Sequence, residues 1–177
     1  MLSLEVAKLR EGSQELTREI APAELAPEVD YTLAAPVELS ATVTREKARV
    51  TIAGTATTTL GLSCGRCLEG YALPVTAQFD LRYLPAADAP PGGDEVEVTD
   101  EDINTAYYRD GQIDLGELIH EQLYLALPMK PLCKDECLGL CAVCGANRNT
   151  TPCSCEHTWT DPRLAGLKAL LNENDDA

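Results

Sequence analysis

Eight cysteines at short spacings are the residues of this sequence with the clearest chemistry. Two of them lie about seventy residues before the others, and six lie between Pro131 and Glu156. The full set is Cys64, Cys67, Cys133, Cys137, Cys141, Cys144, Cys153 and Cys155. Thiolates two or three residues apart can reach one ion from a tight turn, and tetrahedral sets of soft sulfur ligands are typical of zinc. We therefore predict that these cysteines bind metal and that folding brings the two segments together.

The cysteines fall into four close pairs, which is the number needed for two four-cysteine sites. The favoured grouping is Cys64, Cys67, Cys133 and Cys137 in one site, and Cys141, Cys144, Cys153 and Cys155 in the other. The second group closes over a short stretch of chain, and the first would join a strand hairpin to the end of a helix. The alternative grouping combines the two C-x-x-C motifs in one site. Four thiolates leave a zinc ion no open position, so the predicted role is structural and adds to folding free energy.

Three other uses of these cysteines fit the sequence less well. An iron–sulfur cluster would require ferredoxin-like spacings, which Cys133 to Cys144 do not reproduce. A redox C-x-x-C usually opens a helix after a strand, apart from other cysteines. Disulfides require export, yet Met1–Arg10 carries charges where a signal peptide is apolar. We predict two zinc ions and a cytoplasmic location.

The two histidines and the remaining polar residues give little sign of catalysis. His120 follows Glu117 as Glu-x-x-His, but a carboxylate di-iron site needs a second such motif, and the sequence has none. We interpret His120 as a surface histidine on a helix. His157, just after the last cysteine, could replace one thiolate as a ligand. No phosphate loop, nucleophile elbow or Ser/His/Asp set is present, which predicts a protein that is not an enzyme.

The charge of the chain favours a basic partner. The formal net charge is −15, and two zinc sites with four thiolates each would bring it to about −19. Such a surface repels phosphate and suits a basic protein. The alternative is direct RNA contact through a sparse set of basic residues, Arg66, Lys130, Lys134 and Arg148. No run is long enough to span a bilayer, and nothing indicates a small-molecule substrate.

Residues 1–84 are predicted to form the sheet that positions the first C-x-x-C motif. Apolar residues alternate with polar ones in three stretches, Val37–Val43, Val50–Leu62 and Tyr71–Tyr83. They predict three antiparallel strands, with Cys64 and Cys67 in the loop between the second and the third. Pro74 predicts an edge position or a bulge. Leu2, Leu4 and Val6 could start a strand, and Glu15–Asp30 is interpreted as loop or short helix.

The second half should hold the helices and most of the cysteines. Residues 85–105 are acidic and rich in proline and glycine, which predicts a flexible linker or else an acidic contact surface. Within 106–177, a helix should begin at Asp114, paired with Glu117 in a capping box, and end at Pro128. Asp161 and Pro162 predict the start of a C-terminal helix. The predicted fold class is α+β: an antiparallel sheet of hairpins, a long helix, a zinc module and a C-terminal helix in one integrated domain.

Several runs of this sequence resemble the YceD family, also called large ribosomal RNA subunit accumulation proteins. They are CGRCLEGY, IDLGELIHEQLYLALPMKPLC, CLGLCAVCGANRN and CSC, within roughly residues 36–171. The resemblance implies a bacterial or plastid protein that supports accumulation or processing of the large-subunit (23S) rRNA. By the same resemblance, Cys64, Cys67, Cys133 and Cys137 match widespread metal-binding positions, whereas the other four match a cluster that some branches lack. A site that can be absent should be self-contained, which agrees with the favoured grouping.

The resemblance implies a process, and the residues then order three hypotheses about mechanism. The first is a non-enzymatic ribosome-biogenesis factor that contacts a basic ribosomal protein or an rRNA-processing enzyme. The second is a zinc module that binds pre-rRNA directly through the four basic residues. The third, a nuclease, lacks acidic clusters at metal-binding spacing.

Overall fold

The computed structural model describes residues 2–25, 27–89 and 103–156, together with Asp161 and Arg163. The chain divides into two compact units. The first comprises Met1–Cys64 and Glu69–Cys133, and the second comprises Gly65–Leu68 and Lys134–Ala177. The predicted divisions near residues 84 and 105 stay predictions, and most of the predicted linker, 90–102, lies outside the described residues.

All regular strands and the α-helix of the described residues belong to the first unit. The strands are β1 (Ser3–Glu5), β2 (Gly12–Ile20), β3 (Thr32–Leu33), β4 (Val37–Glu46), β5 (Arg49–Ser63), β6 (Gly70–Pro85), β7 (Thr105–Tyr108) and β8 (Gln112–Asp114). The helix, α1, spans Leu115–Leu125, and short 3-10 turns cover Val6–Lys8, Pro22–Glu24 and Ala86–Asp88. One sheet has the order β2-β4-β5-β6-β7, with β3 also paired to β5, and a separate two-stranded sheet joins β1 to β8.

The three alternating stretches form β4, β5 and β6 as predicted, and these strands pair antiparallel. Their apolar side chains share one face, where Val43, Ile52 and Leu60 are buried in the main core. The register of β5 with β6 runs without interruption from Val50–Tyr83 to Ser63–Gly70. Pro74 therefore sits in no bulge, and among the described strands only β5 pairs with this part of β6. Of the two alternatives, the structure favours the edge-like position over the bulge, although β6 as a whole lies between β5 and β7.

The strand β2 corrects the interpretation of Glu15–Asp30 as loop or short helix. Its residues pair with β4 over nine positions, from Gly12–Arg45 to Ile20–Val37. The local pattern is weak because most side chains of this edge strand are exposed, and only Ile20 is fully buried. Charged side chains on an edge strand limit pairing with other chains. The extended conformation comes from distant backbone pairing with β4, which the local composition does not reveal.

The pairing of β6 with β7 corrects the prediction of a purely antiparallel sheet. These strands run parallel, from Arg82–Thr105 to Pro85–Tyr108, so the sheet is mixed. A four-residue strand is too short to show an alternation, and pairing direction depends on how the chain returns to the sheet. The Tyr108 hydroxyl donates a hydrogen bond to the Ala48 carbonyl at 2.8 Å, which holds β7 at this position.

The helix α1 begins as predicted but is shorter than predicted. The Asp114 carboxylate accepts hydrogen bonds from the backbone N–H groups of Gly116 at 2.8 Å and Glu117 at 3.1 Å. The helix ends at Leu125, ahead of Pro128, so its eleven residues are not a long helix. Its buried face consists of Leu115, Leu118, Ile119, Gln122 and Leu123. Within the described residues, no helix combines the length and apolar character needed to cross a membrane.

The predicted C-terminal helix lies outside the described residues, except for two positions at its start. Asp161 accepts a hydrogen bond from the Arg163 backbone N–H at 3.0 Å and forms an ion pair with its guanidinium at 2.8 Å. This pairing lowers the pKa of the Asp161 carboxyl. The backbone bond is of the kind that a helix N-cap makes.

Replacement of the helix cap should lower the stability of the first unit. In Asp114→Ala, two backbone N–H groups lose their acceptor, and we expect the free energy of unfolding to fall by about 1 kcal/mol. Urea denaturation followed by far-UV circular dichroism would measure the change. Asp30→Ala removes an exposed aspartate outside any helix and should have a much smaller effect. Equal effects of the two substitutions would contradict the capping role.

Candidate metal centres

The C-x-x-C motif from Cys141 to Cys144 lies in a tight turn closed by backbone hydrogen bonds. The Cys141 N–H donates to the Ala146 carbonyl at 2.8 Å, and the Gly145 N–H donates to the Cys141 carbonyl at 2.9 Å. Gly145 has φ +73°, a conformation that a glycine adopts without strain. The Val143 N–H lies 3.4 Å from the Cys141 Sγ. The turn thus points backbone donors at a sulfur atom.

The electrostatics of this group favour the thiolate of Cys141 and oppose those of Cys153 and Cys155. Backbone N–H groups of Cys144 and Val143 stabilise the charged sulfur and lower the pKa of Cys141 to about 6. Hydrogen bonding with the Cys144 thiol and then burial raise the pKa of Cys155 to about 12. At Cys153 the Cys155 amide favours the thiolate, but the Cys141 thiol and burial outweigh it and raise the pKa. Four sulfurs this close can all ionise only when a cation neutralises them, which suits a divalent metal.

The other C-x-x-C motif lies in the loop between β5 and β6. The Cys64 N–H donates to the Glu69 carbonyl at 2.9 Å, and both Cys64 and Cys67 are buried. Burial first, and then the neighbouring Cys64 and Cys133 thiols, raise the pKa of Tyr71. The structure therefore gives this motif a closed, shielded loop.

The eight sulfur atoms form two groups of four. One group consists of Cys64, Cys67, Cys133 and Cys137, the other of Cys141, Cys144, Cys153 and Cys155, and the sulfurs of each group lie within 4.8 Å of one another. All eight residues are thiols. Four sulfurs bound at about 2.3 Å to one zinc ion stand roughly 3.8 Å apart in a tetrahedron, so both groups fit such an ion. The structure thus brings together the residues that the sequence grouped, and it does not support the alternative grouping of the two C-x-x-C motifs.

Two polar residues support Cys137: Asn149, which sequence reasoning missed, and Arg66, which it singled out only as a possible RNA contact. The Asn149 side-chain amide donates to the Cys137 Sγ at 3.3 Å, and its carbonyl oxygen accepts from the Leu138 N–H at 3.0 Å. The Arg66 guanidinium donates to the Cys137 carbonyl at 2.9 Å. Hydrogen bonds of this kind orient metal ligands. The Asn-x-Asn spacing indicates only a local bond, in which the Asn147 side-chain oxygen accepts from the Asn149 N–H at 3.0 Å, and the contact of Asn149 with Cys137 depends on tertiary structure.

The other residues singled out in the sequence lie outside these groups. His120 is no free surface histidine: its side chain is 15% exposed, and its Nδ1 lies 2.9 Å from the Tyr31 hydroxyl. The reason is the segment before β3, whose Tyr31 packs against α1. His157 lies outside the described residues, so its role as a ligand stays a prediction. All four candidate RNA-contact residues are exposed: Arg66, Lys130, Lys134 and Arg148.

Several known proteins are similar in sequence to most of this chain. A family model described as Large ribosomal RNA subunit accumulation protein YceD matches residues 52–171. A chloroplastic protein of Zea mays, named Large ribosomal RNA subunit accumulation protein YCED homolog 1, is 31% identical over 143 residues, which are 68% of this chain and 49% of that protein. Its namesake in Arabidopsis thaliana is 27% identical over 164 residues, 81% of this chain and 51% of that protein. An uncharacterized protein of Mycobacterium leprae is 33% identical over 137 residues, 77% and 60% of the two chains.

These relatives are longer, and the chain spans about half of the length of the two plant proteins. No solved structure matches the chain. All eight cysteines of the two groups lie inside the matched range. Since the family model covers more than half of the sequence, the chain belongs to the YceD family.

Proposed function

We propose that this protein is a cytoplasmic, non-enzymatic factor that binds two zinc ions and supports accumulation of the large-subunit (23S) ribosomal RNA. It does so by contacting a basic ribosomal protein or an rRNA-processing enzyme. The process is that given in the names of the family and of the plant relatives. The contribution of this chain is a pair of rigid metal centres and an acidic surface.

The observation that carries this proposal is the number of sulfur ligands in each group. Both groups offer four sulfurs at a spacing that suits one tetrahedral ion. Such an ion has no position left for water or substrate, and its contribution is a structural cross-link. Zinc fits this donor set because thiolates are its common structural ligands, and the spacing of the cysteines differs from ferredoxin patterns.

The charge of the chain supports a protein partner over RNA. The net charge is −15, which opposes binding to a phosphate backbone. Within the second unit, the Arg66 guanidinium already donates hydrogen bonds to the carbonyls of Asp135 and Cys137. Glu136 lines the same surface cavity as Arg66 and Lys134. A carboxylate among these cations weakens their attraction for phosphate.

The second candidate function is direct binding of pre-rRNA by the second unit. The observation in its favour is the open cavity of about 530 Å³ that Arg66, Lys134 and Asn149 help to line. Exposed Arg148 belongs to the same unit. Cations and an amide around a cavity can hold phosphate or a base edge.

Affinity capture of the zinc-loaded protein from its own cell lysate, with and without nuclease, separates the two functions. If contacts are with protein, the same basic protein should be captured after nuclease treatment. Loss of all partners on nuclease treatment would overturn the first function. A salt-dependent affinity of the purified protein for large-subunit rRNA would then establish the second.

Matched charge changes sharpen this comparison. For direct RNA binding, Lys134→Gln with Arg148→Gln should reduce the affinity for large-subunit rRNA at least tenfold, by loss of about two phosphate contacts. Lys8→Gln with Arg10→Gln removes the same charge from the N-terminal region of the first unit. Equal effects of the two double substitutions would show a dependence on net charge alone.

A further inference from the structure

Two adjoining cavities of the first unit share a pair of polar residues on α1 and the segment before β3. One cavity has a volume of about 330 Å³, with Pro22, Leu25 and Leu33 among its walls. Glu28 and His120 line both this cavity and a second of about 310 Å³. Together the two form what we call the Glu28–His120 pocket. Mostly apolar walls with a few convergent polar groups are typical of binding pockets.

The polar groups of this pocket form a fixed cluster. His120 Nδ1 lies 2.9 Å from the Tyr31 hydroxyl and 3.3 Å from Glu28 Oε1. Burial, and secondarily the Glu28 charge, raise the pKa of Tyr31 to about 12, so the phenol is protonated at neutral pH. An ionised carboxylate can only accept, so a hydrogen bond between His120 and Glu28 is one that Nδ1 donates. His120 Nε2 is buried without a hydrogen-bond partner among the described residues, so the observed polar contacts of the ring are those of Nδ1 with Tyr31 and Glu28.

Glu28 retains capacity to bind a cation. Its side chain is 38% exposed, and among the described residues its polar contact is with His120. An ionised carboxylate offers about four lone pairs on two oxygens. Glu121 lines the second cavity as well, and neither cavity is lined by a lysine or an arginine from the described part of the chain. Glu24 and Asp30 flank Glu28 in the sequence, so the local charge is negative.

The rim of the second cavity adds apolar surface for a partner to cover. Tyr124 and Leu125 line it and are 54% and 72% exposed. An exposed tyrosine beside a carboxylate is a suitable place for a planar cation, because guanidinium stacks on aromatic rings. Apolar walls suit the methylene stem of the same side chain.

We propose that the Glu28–His120 pocket binds an arginine side chain presented by a basic polypeptide. The guanidinium pairs with Glu28 and stacks on Tyr124, and the stem packs against the proline and leucine walls. The proposal that the protein partner supplies this arginine rests on the proposed function. The affinity of the pocket for an arginine side chain can, however, be measured with the protein and a peptide alone, without any ribosomal component.

The test is a nuclear magnetic resonance titration of the full-length, zinc-loaded protein with two capped peptides. One is Ala-Leu-Arg-Leu-Ala, and the other carries citrulline, a neutral isostere, in place of arginine. We expect the arginine peptide to shift the ring signals of His120 and the backbone amide signals of Tyr31 and Thr32. Its affinity should exceed that of the citrulline peptide about tenfold, as expected for a charge-assisted pair.

Two substitutions with a matched control complete the test. Glu28→Gln should reduce the affinity for the arginine peptide about tenfold and leave the citrulline peptide unaffected. Glu19→Gln removes the same charge from exposed strand β2 and should change the affinity less than about twofold. Tyr124→Leu keeps the apolar rim, removes the stacking partner and should weaken the arginine peptide alone.

Equal affinity for the two peptides, or equal losses in Glu28→Gln and Glu19→Gln, would overturn the proposal. If Glu28→Gln alters the fold, the peptide affinities of Tyr124→Leu decide the test. The Tyr124 side chain is largely exposed, so its replacement should leave the fold intact. Capture of the same basic protein by wild type and Glu28→Gln would refute the pocket and leave the proposed function in place. Arginine-peptide binding without any basic partner in lysate would support the pocket and refute the proposed function.

Discussion

Chelation of zinc is expected to unfold residues 134–156 while the strands β4, β5 and β6 stay folded. All residues of the main hydrophobic core belong to the first unit. In the described part of the second unit, the buried apolar side chains are those of three cysteines, Cys67, Cys137 and Cys141. If the cysteine groups hold zinc as proposed, a segment with so little buried apolar surface depends on that ion, because structural zinc in small peptides supplies about 10–16 kcal/mol at neutral pH. Hydrogen exchange should show loss of protection at the backbone amides of Cys141 and Gly145. Amides of β5 should keep their protection.

Single cysteine substitutions test whether each of the two cysteine groups binds its own zinc ion. Cys141→Ser should leave one zinc ion per chain in metal analysis, and Cys64→Ser should likewise remove one ion and keep the other group loaded. Ser154→Ala, between two ligands of the Cys141 group, is the control and should retain two ions. Loss of both ions from either cysteine variant would contradict independent sites, and iron in the purified protein would contradict zinc.

Gly54→Ala is expected to destabilise the sheet far more than a glycine replacement usually does. A Cβ atom at this position of β5 would lie 2.3 Å from the Ser40 carbonyl oxygen and 2.6 Å from the Ala41 Cα. Both are backbone atoms of β4, in which Ala41 pairs directly with Gly54. Because backbone atoms cannot rotate away as a side chain can, the two strands must move apart. We expect a loss of about 3 kcal/mol in the free energy of unfolding, the upper end of the usual overpacking cost.

The matched control is Gly70→Ala at the start of β6, where a Cβ atom would meet no atom within 4 Å. Guanidinium denaturation of both variants, followed by far-UV circular dichroism, gives the two free energies. Gly70→Ala should lie within about 0.5 kcal/mol of wild type. A similar small change in Gly54→Ala would show that β4 and β5 can separate at this point without cost.

The sheet was predictable where the sequence repeats a local pattern. In β5, Val50, Ile52 and Leu60 follow one parity and lie on the buried face, so alternation alone identifies the strand. In β2, by contrast, Glu15 and Glu19 are exposed and the strand exists through pairing with β4. No local pattern reports such a contact. The same holds for β7, whose four residues carry no periodicity.

The sequence was enough to predict which cysteines form each group, but not which other residues contact them. Spacing was enough to assign Cys141 to the same group as Cys155, because a short loop limits which thiols can meet. The amide that Asn149 directs at Cys137 and the contact between Tyr31 and His120 depend on tertiary structure. His120 was interpreted as a surface histidine because the sequence has no second Glu-x-x-His motif, yet Tyr31 in the segment before β3 contacts its ring.

The pairing of β1 with β8 sets an order on how this chain can fold during translation. Ser3 pairs with Asp114, and the Leu115 N–H donates to the Leu2 carbonyl, so the partners are more than a hundred positions apart. At roughly 5–20 residues per second, a ribosome needs about 5–20 s to make the intervening chain. Over that time the hydrogen-bonding groups of Ser3–Glu5 have no partner from β8, and the local hairpins of β4, β5 and β6 can form first. The pairing of Ser3–Glu5 with β8 is therefore expected to follow the formation of these hairpins.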